Sequence, residues 1–131
     1  MKNEFIPYEQ ALALKKLGFD ESCLGYYDIE GLKVSYDRYL NSENKNSLFP
    51  HPSITNNPKI SAPLYQQAFR WFREECGLRY FIEYDNGHYN AVVQSSLVYH
   101  CDTHEEAELA CLNRLIILIT PITNPQTKPW T

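Results

Sequence analysis

The stretch LRYFIEYDNGHYNAVV, residues 78–93, contains the clearest structural signal in this chain. On each side of Asn86-Gly87 lies a segment with the residue alternation of a β-strand. Asn86 and Gly87 both tolerate the positive φ that a two-residue hairpin turn requires. With these residues as the turn, three pairs lie opposite each other on one side: Tyr84 with Tyr89, Ile82 with Ala91, and Tyr80 with Val93. We therefore expect an antiparallel hairpin with a tyrosine-lined face. Its second strand runs on to about His100, either regularly or with a bulge.

Three other segments have helical patterns. A helix from about Pro7 to Leu17 is rich in helix formers and is followed by Gly18, a natural stop. A second helix is expected over 62–76, starting near Ser61 or Ala62 with Pro63 in its first turn and ending before Gly77. A third helix, 103–119, opens with a capping box in which Thr103 is the N-cap and Glu106 follows three residues later.

The segment between the first two helices divides into a hairpin and a loop. Residues 23–28 and 31–40 are predicted strands joined by the turn DIEG. Residues 41–60 are dense in Asn, Ser and Pro, which excludes a central strand or helix. A loop of this length is either a variable surface segment or a ligand lid.

These elements predict a single α+β domain over residues 1–131. We expect an antiparallel sheet of about four strands, formed by two hairpins, with three helices packed against it in the order α-ββ-α-ββ-α. The irregular parts are the 41–60 loop and the 120–131 tail. Helix 103–119 has apolar residues on its back as well, so either the tail covers it or a second subunit docks there as a homo-oligomer.

Composition narrows the class of protein. Twelve basic and sixteen acidic residues give a net charge of −4, which disfavours duplex nucleic acid as a partner. The segment MKNEFIPYEQ lacks the pattern of a signal peptide, and the apolar run LIILI at 115–119 is far shorter than the roughly 20 residues that span a bilayer. The four cysteines form no C-x-x-C pair. We expect a cytoplasmic protein with reduced thiols and no membrane partner.

Catalytic and metal-binding patterns are weak. His100, Cys101, Asp102 and His104 cluster before the third helix, but their spacing fits no zinc signature, and strand alternation sends His100 and Cys101 to opposite faces. Cys101 is the one thiol near a helix start with histidines nearby. The chain has no Walker loop, nucleophile elbow or H-E-x-x-H motif. We expect no enzyme, cofactor or metal, with an enzyme or metal site over His100–His104 as the outlying alternative.

Recognition is the better-supported chemistry. On a helical wheel, Gln66, Arg70 and Arg73 share the polar face of helix 62–76. Arginine and tyrosine together can hold an anionic planar ligand, the guanidinium on a phosphate and the ring on a base. The candidate ligand-binding residues are Gln66, Arg70, Trp71, Arg73, Arg79, Tyr80, Tyr84 and Tyr89. In the competing interpretation the arginines pair with Glu74, Glu75 or Glu83 on a solvated face, and the aromatic residues, including Trp71, fill the core.

Three segments also carry a resemblance. IPYEQALALKKLGF (6–19), APLYQQAFRWFRE (62–74) and EEAELACLNRLI (105–116) cover about a third of the chain. They resemble a group of short, functionally uncharacterised proteins encoded by bacteriophages and prophage-like elements of Bacteroidetes bacteria. The resemblance implies a phage accessory protein in the bacterial cytoplasm and assigns no functional residue.

Three hypotheses follow, in order. The first is a non-enzymatic phage protein that binds and neutralises a host protein, such as a host factor or a defence component, through an exposed apolar or tyrosine patch. The second is a protein that sequesters a nucleotide-like ligand in an arginine- and tyrosine-lined pocket. The third is the His100–His104 enzyme or metal-binding protein.

Overall fold

The computed structural model describes residues 2–34 and 59–120 of the 131-residue chain. Residues 41–58 of the expected 41–60 loop, the continuation of the second strand beyond residue 34 and the tail beyond residue 120 lie outside the described residues. In these described ranges a short 3-10 turn, Lys2–Glu4, precedes nine elements: α1 (Tyr8–Leu17), β1 (Gly25–Asp28), β2 (Gly31–Val34), β3 (Ile60–Ala62), α2 (Tyr65–Cys76), β4 (Tyr80–Asp85), β5 (His88–Val93), β6 (Ser96–Cys101) and α3 (His104–Ile119). Internal contacts divide the chain into two compact units, Met1–Gln67 and Ala68–Thr131.

In the first unit, helix α1 has the ends that the sequence predicts. Pro7 is its N-cap residue, and Gly18 ends it in the left-handed conformation at φ 104°. The Gly18 N–H donates to the Lys15 carbonyl, and the Phe19 N–H donates to the Leu14 carbonyl at 2.9 Å. Leu14 and Phe19 are buried, so the helix end is fixed to the core on both sides of the glycine.

The first sheet has three strands in the order β2-β1-β3. The β1–β2 hairpin forms around the predicted turn, with Asp28 opposite Gly31. The third strand corrects the sequence prediction, which assigned Ile60 to the loop and Ser61 and Ala62 to the start of the second helix. All three are buried and pair with Tyr27, Tyr26 and Gly25. The physical reason lies in Pro63, which biases the residue before it towards extended backbone.

The N-terminal segment is held to the same unit by backbone bonds. The Ile6 N–H donates to the Pro63 carbonyl at 3.0 Å, and Phe5 forms an isolated antiparallel bridge with Leu64. The Tyr27 hydroxyl donates to the Ile6 carbonyl at 2.8 Å. Phe5 and Ile6 are almost fully buried, so this segment is part of the core.

In the second unit, the hairpin that opened the sequence analysis forms in the predicted register. Tyr84 lies opposite Tyr89, Ile82 opposite Ala91 and Tyr80 opposite Val93. Asn86 and Gly87 both have positive φ, 51° and 81°, as a type I′ turn requires.

The second sheet has the order β4-β5-β6, and the prediction of one long strand to His100 was wrong. The chain turns at Gln94-Ser95 and returns as β6, with a register irregularity at Ala91/Val92. Both turn residues have positive φ, 52° and 69°, a conformation that neither residue type signals in the sequence. The described residues therefore form an α+β fold with two three-stranded antiparallel sheets, and the expected single sheet of about four strands was wrong.

Helix α3 packs on the second sheet. Its predicted cap is confirmed, because the Thr103 hydroxyl accepts from the Glu106 N–H at 3.1 Å. The Cys111 thiol lies 4.0 Å from the Phe81 and Val92 carbonyl oxygens. The side of the sheet that carries the buried residues Ala91, Val93 and Cys101 is called the helix-side face, and the other side is called the open face.

Helix α2 contains the boundary between the units and has the predicted amphipathic pattern. Gln66, Arg70 and Arg73 are exposed. The buried residues of the helix are Tyr65, Ala68, Phe69, Trp71 and Phe72. Most of its aromatic side chains therefore belong to the core.

Candidate functional site

A cleft of about 470 Å³ lies within the second unit, where helix α2 leads into strand β4. Its lining residues come from the helix end, the connection, strand β4 and the β5–β6 turn: Phe69, Arg73, Leu78, Arg79, Tyr80, Phe81, Gln94 and Ser95. Three of the predicted ligand-binding residues, Arg73, Arg79 and Tyr80, are thus brought together. We call this site the arginine cleft.

One wall of the arginine cleft is set by the end of helix α2. The Gly77 N–H donates to the Arg73 carbonyl at 3.2 Å, and the Leu78 N–H donates to the Phe72 carbonyl at 3.1 Å. These bonds turn the chain from the helix into strand β4. The Tyr80 ring then stacks on the Phe69 ring, with centroids 3.8 Å apart and planes 21° apart.

The opposite wall is the Gln94-Ser95 turn. The Gln94 N–H donates to the Arg79 carbonyl at 2.9 Å, and the Gln94 side-chain oxygen accepts from the Arg79 N–H at 2.8 Å. Two consecutive non-glycine residues with positive φ are strained, and such strain persists where surrounding contacts over-determine the backbone. The paired bonds to Arg79 supply that constraint.

The cleft is cationic. Arg73 is half-exposed, and its guanidinium lies 4.0 Å from the Glu74 carboxylate, which is itself exposed. Among the residues that the structure describes, the Arg79 side chain has no ion-pair partner. An exposed pair such as Arg73–Glu74 contributes little energy. Both guanidiniums are therefore available to an anion.

Tyr80 adds a neutral polar group to the cleft. Burial is the main cause that raises the pKa of its phenol above the ordinary value, so the hydroxyl stays protonated at neutral pH. A protonated phenol can donate a hydrogen bond as well as accept one. The cleft thus offers two cations, a phenol and an aromatic stack.

Three apolar side chains lie side by side on the open face of the second sheet. Phe81, Val92 and Leu97 lie directly opposite one another across the three strands. Phe81 is 53% exposed and Leu97 is 64% exposed. We call Phe81, Val92 and Leu97 the open-face row. Phe81 also lines the arginine cleft, so the open-face row and the cleft form one continuous surface.

The other candidate ligand-binding residues lie elsewhere. Gln66 and Arg70 are exposed on helix α2 but do not line the cleft. Trp71 is 6% exposed and meets Phe72 edge to face at 5.1 Å, so it presents little surface to a ligand. Tyr84 and Tyr89 form a separate pair near the hairpin end, with ring centroids 5.0 Å apart.

The histidine region is spread over the open face and the start of helix α3. The His88 and His100 rings lie 4.6 Å apart, and His100 Nδ1 contacts the Asn90 side-chain oxygen. His88 Nδ1 is buried and 3.4 Å from Asp102 Oδ1, without hydrogen-bond geometry. Across residues 2–34 and 59–120, no three His, Cys, Asp or Glu side chains are grouped to hold a metal ion.

The thiol in this region has the surroundings of a structural cysteine. Cys101 is 2% exposed and lies on the helix-side face while His100 lies on the open face, as strand alternation predicts. Burial raises the pKa of Cys101, and the nearby carboxylates of Glu106 and Asp102 raise it further. A reactive thiol needs the opposite conditions, namely access and a neighbouring positive charge.

Comparison with family models, curated proteins and solved structures finds no match to this chain. No helix in the described part of the chain is long and apolar enough to cross a membrane. The fold and the site therefore define the chain only as an α+β protein with a cationic cleft that continues into an exposed apolar row.

Of the eight residues that line the arginine cleft, the sequence singled out three as ligand-binding: Arg73, Arg79 and Tyr80. Phe69 was correctly assigned to the core stripe and is buried, whereas Gln94-Ser95 was wrongly assigned to the interior of a strand. No sequence pattern marked Phe81 or Leu97 as exposed. The alternation along strand β4 indicated a tyrosine-lined face with Tyr80, Ile82 and Tyr84, and Phe81 lies on the other face. The one usable hint was the polar QSS run at 94–96, which is typical of a turn.

Proposed function

We propose that this protein is a non-enzymatic binding protein that holds a protein partner through the open-face row. The observation that carries the proposal is the exposure of Phe81 and Leu97 on either side of Val92. Singly exposed apolar residues are ordinary, whereas large side chains aligned across a sheet and next to a concave site are typical of an interaction surface.

The row can supply a useful share of a binding free energy. Full burial of a Phe or Leu side chain is worth about 1.5–3 kcal/mol. Because Phe81 is 53% and Leu97 64% exposed, the interface would gain roughly 1–1.5 kcal/mol from each, or about 2–3 kcal/mol together. Since 1.4 kcal/mol is a tenfold change in Kd, removing both should weaken binding about thirty- to a hundredfold.

The biological setting comes from the resemblance to phage and prophage proteins. A small accessory protein of a phage works in the cytoplasm of its bacterial host, and such proteins commonly inhibit host factors or defence components. We propose a host protein of this kind as the partner.

Co-purification from an extract of Bacteroidetes cells tests the proposal. Tagged wild-type protein should retain a host protein that the double variant Phe81→Ser/Leu97→Ser releases. Ile29→Ser is a matched control, because Ile29 is 77% exposed but lies in the β1–β2 turn of the first unit. Equal retention by the wild type and the double variant, or release by the control as well, would reject the open face as the binding surface.

The arginine cleft favours a second candidate function, the sequestration of a nucleotide-like ligand. Two guanidiniums can bind phosphate oxygens, and the Tyr80 and Phe81 rings, with Tyr80 backed by the buried Phe69 ring, can contact a base. Native mass spectrometry of gently purified protein should then show an adduct of nucleotide size. The adduct should disappear in Arg73→Ala/Arg79→Ala and persist in the control Arg114→Ala. A bare native mass would reject this candidate, and the same spectrum would show whether two copies associate, as expected for an oligomer through helix 103–119.

A further inference from the structure

We infer that the outer edge of strand β6 and the groove beside it accept an extended, acidic segment of the protein partner as an added strand. This inference rests on the proposed protein-binding function and specifies the kind of partner. It concerns a different part of the second unit from the open-face row, although Leu97 belongs to both.

Strand β6 is an edge strand without charged or proline protection, and its pairing with β5 is interrupted once, at Val98, which has no partner on β5. In the described residues its one strand neighbour is β5, so its other side offers unpaired backbone N–H and C=O groups. Its sequence, SLVYHC, contains no lysine, proline, aspartate or glutamate. The opposite edge of the same sheet, β4, carries Glu83 and Asp85. Natural sheets protect exposed edges with charge, proline or bulges, and β6, whose edge lacks the first two, remains a template for pairing with another chain.

A groove of about 420 Å³ lies between the start of this strand and helix α3, which lines it with Arg114 and Leu118. Its apolar lining consists of Leu78, Val93, Leu97, Val98 and Leu118. In an added strand every second side chain points to one face of the sheet. The groove can therefore receive an apolar side chain of the incoming segment while its backbone pairs with β6.

Arg114 gives the groove its charge preference. It is the one charged residue of the lining, and among the described residues its guanidinium has no ion-pair partner. A carboxylate on the incoming segment would supply one. A second copy of β6 would bring no acidic residue of its own and a second Arg114, so charge complementarity favours an acidic partner over self-pairing.

Peptide selection followed by backbone methylation tests the inference. Random linear peptides displayed on phage would be selected on the immobilised full-length protein. We expect enriched sequences with apolar residues at alternate positions and at least one acidic residue. Two methylated forms of an enriched peptide would be compared, one N-methylated at its odd-numbered amides and one at its even-numbered amides. One form should bind at least about tenfold more weakly and the other nearly as well as the parent peptide, because alternate N–H groups of an added strand face β6.

Three protein variants complete the experiment. Arg114→Glu should weaken the peptide about tenfold by replacing attraction with repulsion, and Val98→Lys should block the edge. Glu83→Lys is the matched control on the other edge, and its affinity should stay that of the wild type. Thermal melting of each variant separates lost binding from lost folding.

Peptides that tolerate methylation at every position, or that bind Arg114→Glu and Val98→Lys as tightly as the wild type, would overturn the inference. The inference would also be overturned if selection on the wild-type protein enriched no peptides beyond those enriched on Val98→Lys. If a host protein still depends on Phe81 and Leu97 in those cases, the proposed function stands and only the added strand fails. If no host protein is retained either, both fail.

Discussion

Replacing Ser95 by glycine should stabilise the protein. Ser95 has φ 69° and follows Gln94 at φ 52° in the β5–β6 turn. A left-handed conformation costs a residue with a Cβ roughly 1–2 kcal/mol. Glycine removes that cost but loses about 0.5–1 kcal/mol of additional backbone entropy on folding. The net gain expected for Ser95→Gly is therefore about 0.5–1 kcal/mol.

Gln94 provides the internal comparison. The same substitution there relieves similar strain but also deletes the side-chain oxygen that accepts from the Arg79 N–H at 2.8 Å. An intramolecular hydrogen bond contributes about 0.5–1.5 kcal/mol net. Gln94→Gly should therefore be close to neutral, about 1 kcal/mol less stable than Ser95→Gly.

Urea unfolding followed by circular dichroism measures both differences. The free energy of unfolding should rise for Ser95→Gly and stay near the wild-type value for Gln94→Gly, with unchanged m-values. A Ser95→Gly protein that is no more stable than the wild type would refute the reasoning. So would a Gln94→Gly protein that is the more stable of the two, because the Arg79 bond would then have no energetic role.

Three further predictions concern stability and the buried thiols. Thr103→Ala removes the side chain that caps helix α3 through the Glu106 N–H and should lower the free energy of unfolding by about 1 kcal/mol, measured in urea. Leu112→Ala empties a fully buried position of the same helix and should cost about 2–5 kcal/mol in the same assay. Burial raises the pKa of Cys23 to about 12 and that of Cys111 to about 11, from an ordinary value of 9.0. Both thiols should stay protonated in the folded protein while they ionise in the unfolded chain, so stability should be unaffected by them below pH 9.0 and fall as the pH rises towards 11. Replacing Cys111 by Ala should reduce this alkaline loss in pH-dependent unfolding, and an unchanged pH profile would contradict the burial of the thiol.

The elements that could be predicted from the sequence are those that end in a turn or cap residue with a specific backbone preference or hydrogen bond. Asn86-Gly87 fixed the register of the β4–β5 hairpin to the residue, and Thr103 with Glu106 fixed the start of helix α3. Gly18 fixed the end of helix α1. In each case a turn or cap residue has a backbone requirement that few other residues meet, so the local sequence is sufficient.

The parts that could not be predicted depend on tertiary contacts. Strand β3 has only three residues and forms because β1 offers a partner, which a window of sequence cannot show. The Gln94-Ser95 turn adopts positive φ against the preference of both residues and is held by Arg79, fifteen residues away. Pro63 was compatible with both a first helical turn and the end of a strand, and the local pattern favoured the wrong alternative.

The same distinction applies to the candidate site. Arg73, Arg79 and Tyr80 were chosen for their chemistry, and the fold brings them to one cleft. Phe81 and Leu97 were not chosen, because an apolar residue in a strand pattern is ordinarily assigned to the core. Only the placement of helix α3 on the other face of the sheet shows that they are exposed.

The affinity of the retained host protein, purified and titrated against wild-type and Phe81→Ser/Leu97→Ser protein in a calorimeter, tests the central claim most directly. Binding through the open-face row predicts that the double variant is weaker by about thirty- to a hundredfold, from the roughly 2–3 kcal/mol of apolar burial that the two side chains supply. An equal dissociation constant for the two folded proteins would contradict the claim.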